Sequence, residues 1–265
     1  MKYFGIKLGK MKFGEDNRNF TLDKETNSIS QSLVSLKGVS QLVADEIYRI
    51  SKLKEYSNFI DILNEIKNNS KIKSNQLEQL IEVGYFSRYG SIKYLTKATE
   101  LYNTFFKKKI IKKGTDMDVF IERFSSKSTE KQFKDIDTRG LIDFLLDMED
   151  KEITTVEEII VDYRIYGESD KTDESYDPRY CIALDIDTTY SPKILFYNIY
   201  SGRVQTLKIN KKMWKNNSFE VYDIVSLNST TQKNKKMLNK QTGKWENTDV
   251  LEWWINDYHK IETNN

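Results

Sequence analysis

The chain has 265 residues, 38% hydrophobic and 31% charged, with a formal net charge of +2. That length suits one large domain or two to three small ones. The single Cys181 excludes an internal disulfide framework and a thiolate metal cluster, and the single His259 argues against a histidine-built metal or triad site. No stretch approaches the ~18 apolar residues of a membrane span, and the opening MKYFGIKLGK holds no apolar core of signal-peptide length, so a cytoplasmic setting is expected.

Charge is unevenly spread. Residues 1–105 hold 16 Lys/Arg against 12 Asp/Glu, and residues 106–170 hold 12 against 16. Within 203–244, ten basic residues face only Glu220 and Asp223. Such segregation is either a footprint for a polyanion or the solvated surface of a lysine-rich protein.

In chain order, residues 1–28 read as extended and loop segments, with Tyr3, Gly5, Phe13 and Phe20 between polar positions. Ser32 to Leu36 forms a short helix stopped by Gly38. Ser40 is placed to cap the next helix, which runs to about Leu53. Phe59, Ile60, Leu63 and Ile66 give a third helical face. Ser74 caps a fourth, with Leu77, Leu80 and Ile81 inward, and Gly84 ends it. Ile92, Leu95 and Leu101 open a fifth. FKKKIIKKG (106–114) reads as an exposed basic link, followed by helices begun by Thr138 and by a Thr155–Glu158 capping box. The polar run at 167–178 is the best domain boundary.

Beyond it the apolar period becomes two. Strands are expected over Tyr180–Ile186, Ile194–Tyr200 and Val204–Ile209, then a short helix at Lys211–Asn216 and further strands at Ile224–Leu227 and around NKQTGKWE, with Gly243 in its turn. Leu251, Trp254, Ile255 and Tyr258 fall at helical spacing, which predicts a C-terminal helix. The expected class is α+β: residues 1–105 an extended segment plus a helical hairpin domain, 106–177 a charged helical linker, and 178–265 a five-stranded OB-like barrel.

Few residues suit catalysis. Asp185 and Asp187 share one side of a strand, as metal-binding pairs do, but no third carboxylate joins them. There is no P-loop and no nucleophile elbow. No catalytic residue, metal or cofactor is assigned. Leu36-Lys37-Gly38-Val39-Ser40 has the form aliphatic–x–Gly–aliphatic–small. It is either a plain turn or a hairpin in which glycine lets phosphate approach free backbone N–H groups at a helix start.

The run from Ile29 through LKGVS to Ile66, with QLEQLIEVGYFSRYGSIKYL after it, resembles the tandem helix-hairpin-helix region of bacterial and phage-type DNA polymerase III α subunits. Ser40, Tyr85 and Ser87 depart from that family's usual Gly, Ala and Asp. The resemblance covers residues 1–105, and 178–250 by order of domains. The family's carboxylate-rich palm is missing, so the resemblance implies a DNA-binding tail rather than the catalytic engine.

By that resemblance, Lys37, Gly38, Val39 and Ser40 at the first loop, and Gly84, Ser91 and Lys93 at the second, hold duplex DNA. Arg203, Lys208, Lys211, Lys212, Lys215, Lys233, Lys235 and Lys236 line a groove for single-stranded template. Trp214, Tyr200 and Tyr222 either stack on bases or fill the core. Trp253, Trp254 and Tyr258 read as packing. TDMDVF (115–120) is either a sliding-clamp peptide lacking its leading Gln or a helix start. The rest of a polymerase is then a further partner. A stand-alone repair or RNA-binding protein, or a nucleotidyl-transfer enzyme, are the other readings.

Overall fold

The computed structural model describes residues 6–25, 27–238, 240 and 243–261. Tyr3 and Gly5, and Gln241 and Thr242 of the expected turn, lie outside the described residues. The chain divides into two compact units, residues 1–154 and 155–265.

The first unit opens with three short strands, β1 (Lys7–Gly9), β2 (Thr21–Asp23) and β3 (Ser28–Ser30), in the order β1-β3-β2. A 3₁₀ turn at Leu33–Ser35 leads into α1 (Gln41–Leu53), α2 (Phe59–Asn69), α3 (Ser74–Glu82) and α4 (Ile92–Phe105). Each helix buries one stripe. On α1 the stripe is Val43, Ile47 and Ile50; on α4 it is Leu95, Ala98, Leu101, Tyr102 and Phe105. Phe13, brought in by a bond from its N–H to the Tyr85 carbonyl (2.9 Å), joins Tyr56, Tyr85 and Phe86 in an aromatic cluster. Full burial of each such side chain is worth about 1.5–3 kcal/mol.

Residues 106–177, expected as one helical linker, are divided between the units. Their first part forms β4 (Ile110–Lys112), α5 (Asp118–Arg123), β5 (Ser125–Ser128), β6 (Gln132–Ile136) and α6 (Thr138–Leu146). The strands make a sheet in the order β4-β6-β5. Arg139 of α6 ties this part to the hairpin helices: Nη1 meets Asp61 Oδ1 at 2.7 Å, and Nη2 donates to Asn58 Oδ1 at 3.0 Å. Their last part, α7 (Thr155–Tyr166), belongs to the second unit, where Ile159 packs with Ile182, Leu184 and Tyr197.

The second unit is built on β7 (Tyr180–Asp187), β8 (Lys193–Asn198), β9 (Val204–Ile209), α8 (Lys211–Asn216), β10 (Ile224–Leu238) and β11 (Trp245–Lys260). Pairing runs β7–β8–β9–β11–β10 and returns from β10 to β7. The β9–β11 pair is parallel and the others are antiparallel. Cys181, Phe196, Leu207, Ile209, Val225 and Ile255 fill its interior.

The expected C-terminal helix is instead β11. Leu227 pairs with Tyr258, Ser229 with Asp257 and Thr230 with Ile255. These register shifts put two residues three apart, Ile255 and Tyr258, both inward. The bulged strand thus imitates a helical period.

Candidate nucleic-acid interface

The first hairpin is open. Val39 is buried at 4% exposure and anchors the loop, and its N–H donates to the Leu36 carbonyl at 3.1 Å. Between them Gly38 turns with φ +87°, a conformation that favours glycine. Its carbonyl accepts from Gln76 Nε2 at 3.0 Å, which fixes the loop on α3. Ser40 is extended (ψ 167°) but its hydroxyl caps no N–H group. The first bond closing α1 is Ala44 N–H to the Ser40 carbonyl. The N–H groups of Ser40, Gln41 and Leu42 therefore have no acceptor among the described residues. Lys37, Gly38, Ser40, Gln41 and Leu42 are exposed, and the first turn of α1 carries no acid. A thirteen-residue helix thus presents the positive end of its dipole to solvent beside a lysine.

The second hairpin is filled. Gly84, with φ +67°, ends α3: its N–H donates to the Ile81 carbonyl (2.9 Å), and the next N–H, of Tyr85, reaches back to Leu80 (3.0 Å). Ser91 is buried, and its hydroxyl accepts from Tyr94 N–H and donates to the Asp150 carbonyl. Its own N–H donates to the Lys151 carbonyl at 3.0 Å. Residues 150–151 thus sit on the start of α4. Of the residues expected there, only Lys93 is exposed. Arg88, Tyr89 and Lys151 line a neighbouring cleft of about 490 Å³.

In the second unit the basic residues separate onto two surfaces. Lys212 and Lys233 line a groove of about 490 Å³ with Asn210, Met213 and Trp254. Lys208 lies near it, paired with Glu252 at 2.6 Å and within 5.7 Å of the Trp254 ring, over which Lys233 also sits at 5.2 Å. Arg203 lines a different cavity, of about 310 Å³, with Arg179, Asn198, Tyr200 and Gln205. Lys211 and Lys215 are exposed on α8, Lys236 is exposed on β10, and Lys235 is half-buried. The local charges have internal partners as well: Arg179 holds the Asp177 carboxyl down to about 2 through a 2.6 Å pair.

Trp214, Tyr200 and Tyr222 divide between the two expected roles, and Trp253 departs from its own. Trp214 stands edge-on to Phe219, centroids 4.9 Å apart, and packs on the interior cluster. Tyr222 turns back with φ +75° under the Arg164 guanidinium. Tyr200 is 37% exposed. Trp253 and Trp245, at 38% and 67%, lie open on the β10–β11 ribbon beside Gln232 and Leu238. Reading Trp253 as packing missed this; the odd-even alternation that would have found it is visible only once the strand register is known.

The 115–120 segment starts a helix. Asp118 accepts from the N–H groups of Gly114 and Thr115, which hold its carboxyl below the ordinary range, and Phe120 packs on Phe144. Asp185 and Asp187 are exposed, and Asp187 accepts from Thr189 N–H. Among the described residues no three His, Cys, Asp or Glu side chains gather as a metal site, and no helix is long and apolar enough to cross a membrane.

A family model described as helix-hairpin-helix motif matches residues 5–94, a span that includes both hairpins. The comparison with curated proteins gives no match.

Proposed function

We propose that this chain is a DNA-binding portion of a replicative polymerase III α subunit, in which the first hairpin grips duplex backbone and the C-terminal sheet follows single-stranded template. The observation that carries the reading is the open Lys37–Ser40 hairpin, with its unpartnered N–H groups, inside the region matched by the helix-hairpin-helix model. Backbone N–H groups at a helix start hold phosphate oxygens and read no base, so the contact is indifferent to sequence.

The second unit supports its half of the reading by topology and chemistry. Its strand order, the parallel pairing of its third and fifth strands, and a helix between its third and fourth suit an OB-fold. Arg203, Lys212, Lys233 and Lys236 supply phosphate contacts, and Trp253, Trp245 and Tyr200 supply exposed faces for base stacking. The lysines of α8 act as charges beside the groove, whereas Trp214 holds α8 on the interior.

Titration of the full chain with unrelated duplexes and with oligo-dT tests both halves. Duplex affinities should agree within a few-fold, and a tenfold preference among sequences overturns the backbone reading. Oligo-dT affinity should fall with salt at a log–log slope of about −0.7 per phosphate engaged. Binding with no salt dependence would return the basic strip to the status of a solvated surface.

A further inference from the structure

The basic run FKKKIIKKG is not a link but part of a small sheet, and that sheet has a face with an unusual charge pattern. Residues 107–134 hold nine Lys/Arg against four Asp/Glu. Paired positions on antiparallel strands share a face. Lys127, Lys134 and Ile110 form one row across β5, β6 and β4, and Gln132 with Lys112 forms the next row on the same side. The opposite side carries Ile111 and the buried Phe133. The outer face is therefore lysine-rich, with Ile110 53% exposed among the cations.

Lys127 and Lys134 are directly opposite each other, a placement that destabilises a sheet. Asp135, which adopts φ +50°, pairs with Lys127 at 2.8 Å, and the same carboxylate also feels the charges of Lys109 and Lys134. Lys108, Lys109, Lys112 and Lys134 form no ion pair among the described residues. A sheet of three- to five-residue strands has little stability to give up, and with one carboxylate shared among Lys127, Lys109 and Lys134 the face keeps a net positive charge that attracts an outside anion. The paired positions of this face hold no aromatic ring, so the chemistry is that of charge without stacking.

We propose that the outer face of the β4–β6–β5 sheet is a second phosphate-backbone surface of the first unit, holding duplex DNA independently of the hairpin N–H groups. It begins just past the C-terminal end of α4 and is a separate element from the open hairpin at the start of α1. A longer stretch of duplex would thus be held without any base being read.

The test is duplex binding by the full chain between about 50 and 200 mM salt, with Lys108, Lys109, Lys112 and Lys134 all changed to Gln. Each phosphate contact contributes about −0.9 to the log–log slope, so the slope should flatten by about three and a half units. The matching Lys→Arg variant should keep the slope. Where the fourfold Gln variant melts early, Lys108→Gln with Lys109→Gln, outside the strands, should still flatten it by nearly two units. An unchanged slope in a folded Gln variant overturns the proposal. If Ser40→Asp is silent while the Gln variant loses slope, the hairpin reading falls and this one stands. Capture of polyglutamate in place of duplex would assign the face to an acidic protein and overturn the proposal.

Discussion

The two hairpins of the first unit have similar glycine-marked sequences and opposite fates. At Leu36–Ser40 the start of α1 is left to solvent, its serine hydroxyl caps nothing, and a side chain from α3 merely steadies the loop. At Val83–Ser91 the serine hydroxyl caps Tyr94 N–H and the carbonyls of Asp150 and Lys151 take the hydroxyl and N–H of Ser91, leaving only the Ile92 and Lys93 N–H groups of this helix start without an acceptor among the described residues. A helix start offers an anion site only while the rest of the chain leaves it empty. The proposed backbone grip and its filled counterpart differ in this one respect.

The largest effect expected from this contrast is at Gly90, with φ +149°. A Cβ there would lie 2.6 Å from Tyr94 Cδ1. Gly90→Ala should destabilise the first unit by about 2–3 kcal/mol in denaturant titration, while the folded fraction binds duplex as before. A normal stability would mean that the second hairpin is looser than its contacts imply. The same contrast of filled and open positions recurs among the tryptophans. Trp214→Ala should cost the second unit about 2 kcal/mol, since a half-buried ring leaves a smaller void than a fully buried one. Trp253→Ala should leave stability within about 0.5 kcal/mol and weaken oligo-dT binding about tenfold. Inverted results would exchange the two roles.

Smaller is Ser91→Ala. Loss of the cap on Tyr94 N–H should cost about 1 kcal/mol, with the salt slope of duplex binding unaltered. A flattened slope would show that the second hairpin also meets phosphate. A separate check is the response of Cys181 to pH. Burial pushes its thiol up to about 11. The folded value lies above the unfolded one, so the contribution to stability is complete below about 8.5 and lost as pH rises toward 11. Alkylation near neutral pH should proceed only through unfolding; rapid native alkylation would show that the cavity beside Tyr200 opens readily.

Much of the helical region was legible. The apolar periods of α1, α2 and α4 and the glycine breaks locate the hairpins, with helix starts displaced by one residue where Lys73 and Asp137, rather than Ser74 and Thr138, stand at the cap. The alternation after Tyr180 likewise announces β7 to β9. Three features were not legible, each for a physical reason. The filling of the second hairpin depends on carbonyls 59 and 60 residues away from Ser91. The β4–β6–β5 sheet is made of polar, lysine-dense strands whose single buried anchor, Phe133, shows no period. The C-terminal strand carries a bulge that places Ile255 and Tyr258 at helical spacing.

Ser40→Asp in the full chain tests the open hairpin most directly. Aspartate is at least as good an N-cap as serine, and its carboxylate would satisfy the free N–H groups of α1 and complement the helix dipole. The same carboxylate would occupy and repel the place of a phosphate. Thermal stability should therefore stay equal or rise, while duplex affinity at moderate salt drops at least tenfold, about 1.4 kcal/mol. Undiminished duplex binding by this folded variant would contradict the assignment of the Lys37–Ser40 hairpin as the backbone grip.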